Sequence, residues 1–323
     1  MMKKVKKGSA LVVLLALALS MMIIPKAYAA KEIDTAAKCS LNFELGSVVF
    51  EEVKTLQIDV DLYKVADVDR IGNYTAVEGY ELGTINSETT AEEWQTMAEA
   101  AMTVVLENDM EPTASSTAAE GFDDELSVGL YLVVVNTAQS ETYEYSFTPY
   151  LVSLPNNYYY SSGNDGWTYE VTTSMKPERT DLYGNLVIEK DLTSFNATVG
   201  GATFVFQVEA TKNYKVSESA ADDIKVVYSN VVSLTFEEAG KQSITIENLP
   251  AGAIVTVKEV YSGGSYEVVG EDTVETVIVA EEDAVIVTFE NTYNGKLNGG
   301  SGVVNHFEEG EGGWTWTSSK DSK

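Results

Sequence analysis

The chain has 323 residues, with 21 Lys and Arg against 50 Asp and Glu and a formal net charge of −29. So large a carboxylate excess repels phosphate backbones and anionic membranes, which excludes nucleic-acid binding. A single cysteine, Cys39, rules out an intramolecular disulfide; a single histidine, His306, lies near the C-terminus and leaves a folded domain without a Ser-His-Asp, Cys-His or zinc site.

Residues 1–30 read as a secretory signal peptide. "MMKKVKKGS" is the basic region, "ALVVLLALALSMMII" the apolar region, and "AYAA" the cleavage site near Ala29 or Ala30. The apolar run is short for a membrane span, so no span is expected after cleavage. Cleavage removes Lys3, Lys4, Lys6, Lys7 and Lys26 and no acid, leaving 16 basic against 50 acidic residues, or −34. Cys39 follows no lipobox-like leader and is not read as a lipidated cysteine.

About 290 mature residues predict two domains. In residues 31–176 the segments "TLQIDVDLYKVA", "GLYLVVVN" and "YEYSFTPYLVSL" alternate as strands do. One helix interrupts them: Thr90 and Glu93 form a capping box ahead of "AEEWQTMAEAAMTVVLEN". Its stripe of Trp94, Met97, Ala98, Ala101, Val104 and Val105 predicts core packing. "DVDRIGN", 67–73, lacks the distal glutamate of a calcium loop and reads as a turn. The tyrosine-rich "NNYYYSSGND", 156–165, suits a contact loop.

"MKPERTDLYGN", 175–185, is a polar connector that marks the domain boundary. Residues 185–295 then run strand after strand: "NLVIEKDL", "TFVFQVEA", "KVVYSN", "QSITIENL", "AIVTVKEVY", "SYEVVG", "TVIVA" and "AVIVTFEN". Short strands at this spacing predict a β-sandwich. Residues 296–323 form a flexible acidic, Gly-rich tail in which "VVNHF" and "WTW" could begin another element.

The period of two in the second domain aims three polar groups at its core. Lys190 follows Leu186 and Ile188, Asn291 follows Val285, Val287 and Phe289, and Glu259 follows Val255 and Val257. An amine, a carboxamide and a carboxylic acid are the reagents for a lysine–asparagine isopeptide bond. Burial favours the neutral forms of amine and acid. The neutral amine of Lys190 is the nucleophile, and Glu259 shuttles protons as ammonia leaves. Lys64, in "LYKVADVD", has no "FEN"-like strand to meet and is not assigned a second cross-link.

"GNLVIEK…ATFVFQVEA…VTVKEVYSGGSYEVVG…VTFENTYNG", over 185–295, resembles the Cna protein B-type domains of Gram-positive surface proteins and pilins. In that family a first-strand lysine bonds a last-strand asparagine beside a glutamate, positions held here by Lys190, Asn291 and Glu259. "LYKVADVDRIGNY", "GLYLVVVN", "YSFTPYLVSLPNN" and "WTYEVTTSMKP" resemble the N-terminal portion of sortase-assembled pilin subunits. The resemblance makes Trp167 the start of a pilin motif and Lys176 the lysine that joins subunits, although Met175 stands where proline often precedes that lysine and Thr173 replaces an aliphatic residue. It implies a mainly β chain of two tandem Ig-like, Cna B-type β-sandwich domains, the first with one inserted helix.

The expected function is therefore a secreted, structural cell-surface or pilus protein, partnered by other pilin or surface subunits and by sortase. It is not an enzyme, apart from one intramolecular turnover. Neither a metal nor a cofactor is expected: no glycine-rich phosphate loop follows a strand, and two small β-domains offer no cleft for a carboxylate-pair glycosidase. The competing expectation is an adhesin that binds a host ligand, with the cross-linked domain as its stalk. The chain ends without an LPxTG-like signal, which predicts a truncated, continued, released or non-covalently held protein.

Overall fold

The computed structural model describes residues 32–44, 50–86, 88–157, 166–280 and 283–296, and the strands Val303–Gly310 and Gly313–Lys320. The signal peptide and most of the tyrosine-rich segment, residues 158–165, lie outside them. The chain divides into one unit of residues 1–140 and 144–179 and a second of residues 141–143 and 180–323.

In the first unit, β1 (Lys38–Glu44) lies between β10 (Glu170–Ser174), parallel to it, and β5 (Phe122–Ser127), antiparallel. A second sheet orders β3 (Tyr74–Ala76), β2 (Asp59–Val68), β6 (Gly129–Val135) and β9 (Tyr150–Leu154), with β4 (Ala114–Thr117) also on β2. β7 (Ala138–Gln139) and β8 (Tyr143–Phe147) pair Ala138 with Tyr145. The helix α1 (Ala91–Asn108) starts where its capping box predicts: Thr90 Oγ1 accepts from the Glu93 N–H at 3.2 Å and Glu93 Oε2 from the Thr90 N–H at 2.7 Å. Trp94, Met97, Ala98, Ala101 and Val105 are buried against Val65, Leu130 and Leu132, while Val104 is half-buried at the margin.

After β11 (Pro177–Asp181), the second unit is a two-sheet sandwich. One sheet orders β15 (Gly240–Pro250), β12 (Tyr183–Leu192), β19 (Val285–Tyr293) and β17 (Tyr266–Val269). The other orders β14 (Ile224–Phe236), β13 (Ala202–Asn213), β16 (Ile254–Tyr261) and β18 (Thr273–Val277). The alternation read from "NLVIEKDL" holds along β12: Leu186, Ile188, Lys190 and Leu192 are buried, and Val187, Glu189 and Asp191 between them are half-buried. Between the sheets lie Phe204, Phe206, Phe236, Val255, Val257, Val287 and Phe289, with the Phe206 and Phe289 rings 5.1 Å apart. Gly184 at the start of β12 admits no side chain, because a Cβ there would stand 1.9 Å from the Val279 carbonyl oxygen.

Two strands differ from their sequence reading. β14 continues from "KVVYSN" through "VVSLTF", and β18 is Thr273–Val277 rather than "TVIVA", since Ile278 turns to exchange backbone hydrogen bonds with Gly252 and Ala253. In the tail, β20 (Val303–Gly310) and β21 (Gly313–Lys320), which contain "VVNHF" and "WTW", pair as an antiparallel ribbon with Phe307 opposite Trp316. No helix among the described residues is long and apolar enough to cross a membrane.

Candidate functional site: a buried amine, carboxamide and carboxyl

β12 and β19, the first and last strands of one sheet of the sandwich, are parallel neighbours, with Lys190 in register with Phe289 and Leu192 with Asn291. One sheet therefore supplies both the amine and the carboxamide, two positions apart on adjacent strands and on the same face. Glu259 comes from the opposite sheet. In β16 it stands across from Phe206 of β13, beside an irregularity in that ladder, and its backbone N–H is fixed by the Asp272 carbonyl at 2.7 Å.

The three groups meet in the core. Lys190 Nζ donates to Glu259 Oε2 at 3.0 Å and makes a close hydrogen bond to Asn291 Oδ1; Asn291 Nδ2 donates to Glu259 Oε1 at 2.7 Å. The Lys190 and Glu259 side chains are fully enclosed, as is Asn291. Below the amine lies the Phe204 ring, its centroid 4.9 Å from Nζ. Burial pulls the Lys190 amine below the ordinary lysine range, against the opposing pull of the Glu259 hydrogen bond and charge and of Asp191 and Glu290. A neutral amine in contact with a carboxamide whose nitrogen is held by a carboxyl group is arranged for acyl transfer.

Two supports were not visible in the sequence. Thr193, just past β12, holds the Asn291 carbonyl through its N–H at 3.0 Å and its Oγ1 at 3.2 Å, and Ser194 Oγ accepts from the Tyr293 N–H at 2.8 Å. These bonds fix the backbone on both sides of the Asn291 side chain. A second buried lysine also escaped the sequence reading. Lys212 continues the inward phase of Phe204, Phe206, Val208 and Ala210, and its Nζ meets Asp181 Oδ1 at 2.6 Å and lies 4.0 Å from the Tyr143 ring centroid. Tyr214 donates to Asp181 Oδ2 at 2.9 Å, and its phenol is pushed up by burial and by the charge of Asp181. The period-two argument that singled out Lys190 applies equally to Lys212.

Lys176 is elsewhere. It is exposed in the break between β10 and β11, after the buried Met175, and Trp167 is half-buried nine positions earlier. Lys64 pairs with Asp67 at 2.6 Å and Ser127 Oγ at 3.2 Å, with no carboxamide among those partners.

Residues 186–294 match the model of a family described as Domain of unknown function (DUF5979). No curated protein matches the chain. Among solved structures it is similar to GBS52, the minor pilin of Streptococcus agalactiae, at 13% identity over 74% of this chain and 83% of that one, with a TM-score of 0.22. The full-length major pilin SpaD of Corynebacterium diphtheriae matches at 11% identity over 81% and 99%, TM-score 0.29. The major pilin T-13 of Streptococcus pyogenes matches at 14% identity over 82% and 99%, TM-score 0.24. Gram-positive pilins are thus among the structures this chain is similar to, at low identity.

Proposed function

We propose that this chain is an exported, pilin-like structural subunit of the cell surface, whose second unit is closed by a self-formed bond between Lys190 and Asn291. The observation that carries the reading is the fully enclosed contact of Lys190, Asn291 and Glu259. A proton passes from the Lys190 ammonium to Glu259. The neutral Nζ then attacks Asn291 Cγ; the carboxyl group, bonded to Nδ2, gives that proton to the departing nitrogen and takes up the second proton that Nζ sheds as it becomes an amide. One N–C bond forms, one C–N bond breaks and one ammonia leaves, without oxidation or reduction. Enforced contact of the reacting groups supplies on the order of 7–11 kcal/mol of the barrier lowering. The reagents are consumed once, so the site has no turnover.

Intact mass of the purified mature chain tests this. Wild type should lack the mass of one ammonia, and Lys190→Ala and Glu259→Ala should retain it. A folded wild type at full sequence mass would reject the bond. The finer reading, that a sortase joins subunits through Lys176, is supported by the exposure of that amine and its spacing from Trp167. A pilus-type sortase given an LPxTG donor should acylate Lys176; conjugation unchanged in Lys176→Ala would leave the adhesin-stalk reading.

A further inference from the structure

Lys190 and water compete for one carbon. Glu259, placed to take a proton from the amine, can equally take one from water. Water adding at Asn291 Cγ expels the same ammonia and leaves a carboxylate. Transfer to Lys190 therefore needs Cγ held in place and water kept out. On one side of Asn291, β17 supplies a strand, with Val268 across from it. On the other, β12 stops level with the carboxamide, since its last residue, Leu192, is the one in register with Asn291.

Residues 193–196 take over where that ladder ends. Thr193 gives the Asn291 carbonyl both its N–H, at 3.0 Å, and its hydroxyl, at 3.2 Å. Asparagine side chains readily bond to nearby backbone; with this carbonyl taken twice, Nδ2 is left to Glu259. Ser194 Oγ accepts from the Tyr293 N–H at 2.8 Å and lies 2.8 Å from Thr292 Oγ1. The strand that carries the nucleophile is thus tied to the strand that carries the electrophile. Phe195, half-buried against the core, stacks on Tyr266 with centroids 6.5 Å apart, and the Asn196 N–H reaches the Tyr266 hydroxyl at 3.4 Å. Tyr266 in turn meets Tyr293 at 6.0 Å and Phe204 at 5.8 Å, and Phe204 is the ring against the Lys190 amine. A run of ring contacts leads from the loop to the amine, and neither Lys190 nor Asn291 has exposed surface.

We infer that residues 193–196 are a cap that makes Lys190, rather than water, the nucleophile at Asn291. Thr193 and Ser194 are positioning residues: they bond to the backbone of Asn291 and to the two residues after it, and so aim the carboxamide at the amine. Phe195 and Asn196 close the aromatic wall that keeps the carboxamide dry. The inference rests on the Lys190–Asn291 bond proposed above and adds what selects its product. A loosened cap acts twice, because Cγ drifts from Nζ while water gains entry. Bonding then slows and hydrolysis of the carboxamide begins.

Refolding of the unreacted mature chain, recovered from inclusion bodies, into heavy-oxygen water tests this. Intact mass and peptide mapping are read over time, and amide protection at Phe204 and Phe206 reports that the core has folded. Wild type should lose one ammonia and take up no label. Thr193→Val combined with Ser194→Ala should bond roughly tenfold more slowly and show Asn291 hydrolysed, with a heavy oxygen from solvent. Phe195→Ala, which leaves both hydroxyls, should also hydrolyse, and Thr193→Ser should behave as wild type. Variants that fold, lose one ammonia and carry no label would overturn the cap and leave the bond standing. A folded wild type at full sequence mass would reject the bond itself, and the cap with it.

Discussion

The two units close in the same way and place different side chains at the closure. In each, the first strand lies parallel to the last strand of its own sheet: β1 beside β10 over five residue pairs, β12 beside β19 over seven. The first closure holds Cys39 and Leu41, both buried, and relies on packing and ladder hydrogen bonds. The second aims Lys190 and Asn291 into the core at the same junction and brings Glu259 across from the other sheet. Parallel first and last strands join the most distant parts of a domain, so the closure is the contact with the largest loop-entropy cost. Polar groups in a dry core would weaken such a junction if they stayed unreacted and unpaired. A bond between them turns that cost into a tether.

Removing the tether should have the largest effect. Lys190 and Asn291 are 101 positions apart, and a cross-link closing such a loop stabilises by about 4–5 kcal/mol in chain-entropy models. Asn291→Ala also leaves a buried amine with only Glu259. The second unit should melt at a markedly lower temperature and be cut by protease, while α1 of the first unit keeps its amide protection. Equal resistance in variant and wild type would mean that this closure is no stronger than that of the first unit.

Lys212 gives the second test, because it is a buried lysine whose ion-pair partner is an aspartate. Its partner Asp181 is an acid in the connector, about one-sixth exposed, and the pair is completed by Tyr214. Lys212→Ala breaks a mostly buried ion pair and should lower the stability of the second unit by about 3 kcal/mol, the low end for such a pair, with the loss of one ammonia unchanged. If that mass difference vanished, Lys212 rather than Lys190 would be the amine consumed.

These two lysines also mark how far the sequence could be read. Alternation along single strands put Lys190, Asn291 and Glu259 on core faces, and the capping box fixed the start of α1. Both are local signals with a short period. What decides the fate of a buried lysine is its partner, and partners come from pairing between distant strands. Asp181 sits in a connector 31 positions before Lys212, so nothing near Lys212 in sequence announced it. The run of β14 through "VVSLTF" and the shift of β18 were hidden for the same reason: both depend on which neighbour supplies the ladder.

Acidity separates a free from a bonded Lys190. In Asn291→Ala the amine remains, held below its ordinary range by burial when folded and titrating near about 10.4 when unfolded. Between those two values the unfolded chain binds more protons, so stability rises with pH across that window and is flat below it. The variant should therefore gain on wild type as pH is raised towards about 10, by at most about 1.4 kcal/mol per unit. A wild type whose Lys190 is acylated, as proposed, has no such proton to lose. Parallel stability curves for the two proteins would show that the wild-type amine is also free.

The smallest expected effect lies in the first unit, at the capped end of α1. Thr90→Ala removes the hydroxyl that accepts from the Glu93 N–H, while the reciprocal bond from the Thr90 N–H to Glu93 survives because it uses backbone. An N-cap threonine is worth about 1 kcal/mol. That loss should appear as faster amide exchange over residues 91–108, about fivefold at neutral pH. The second unit should still lose one ammonia and keep the melting behaviour of wild type. Exchange in α1 that does not change would place the stability of the helix in its packed face, where Trp94 and Met97 meet the sheet, rather than in its capped end.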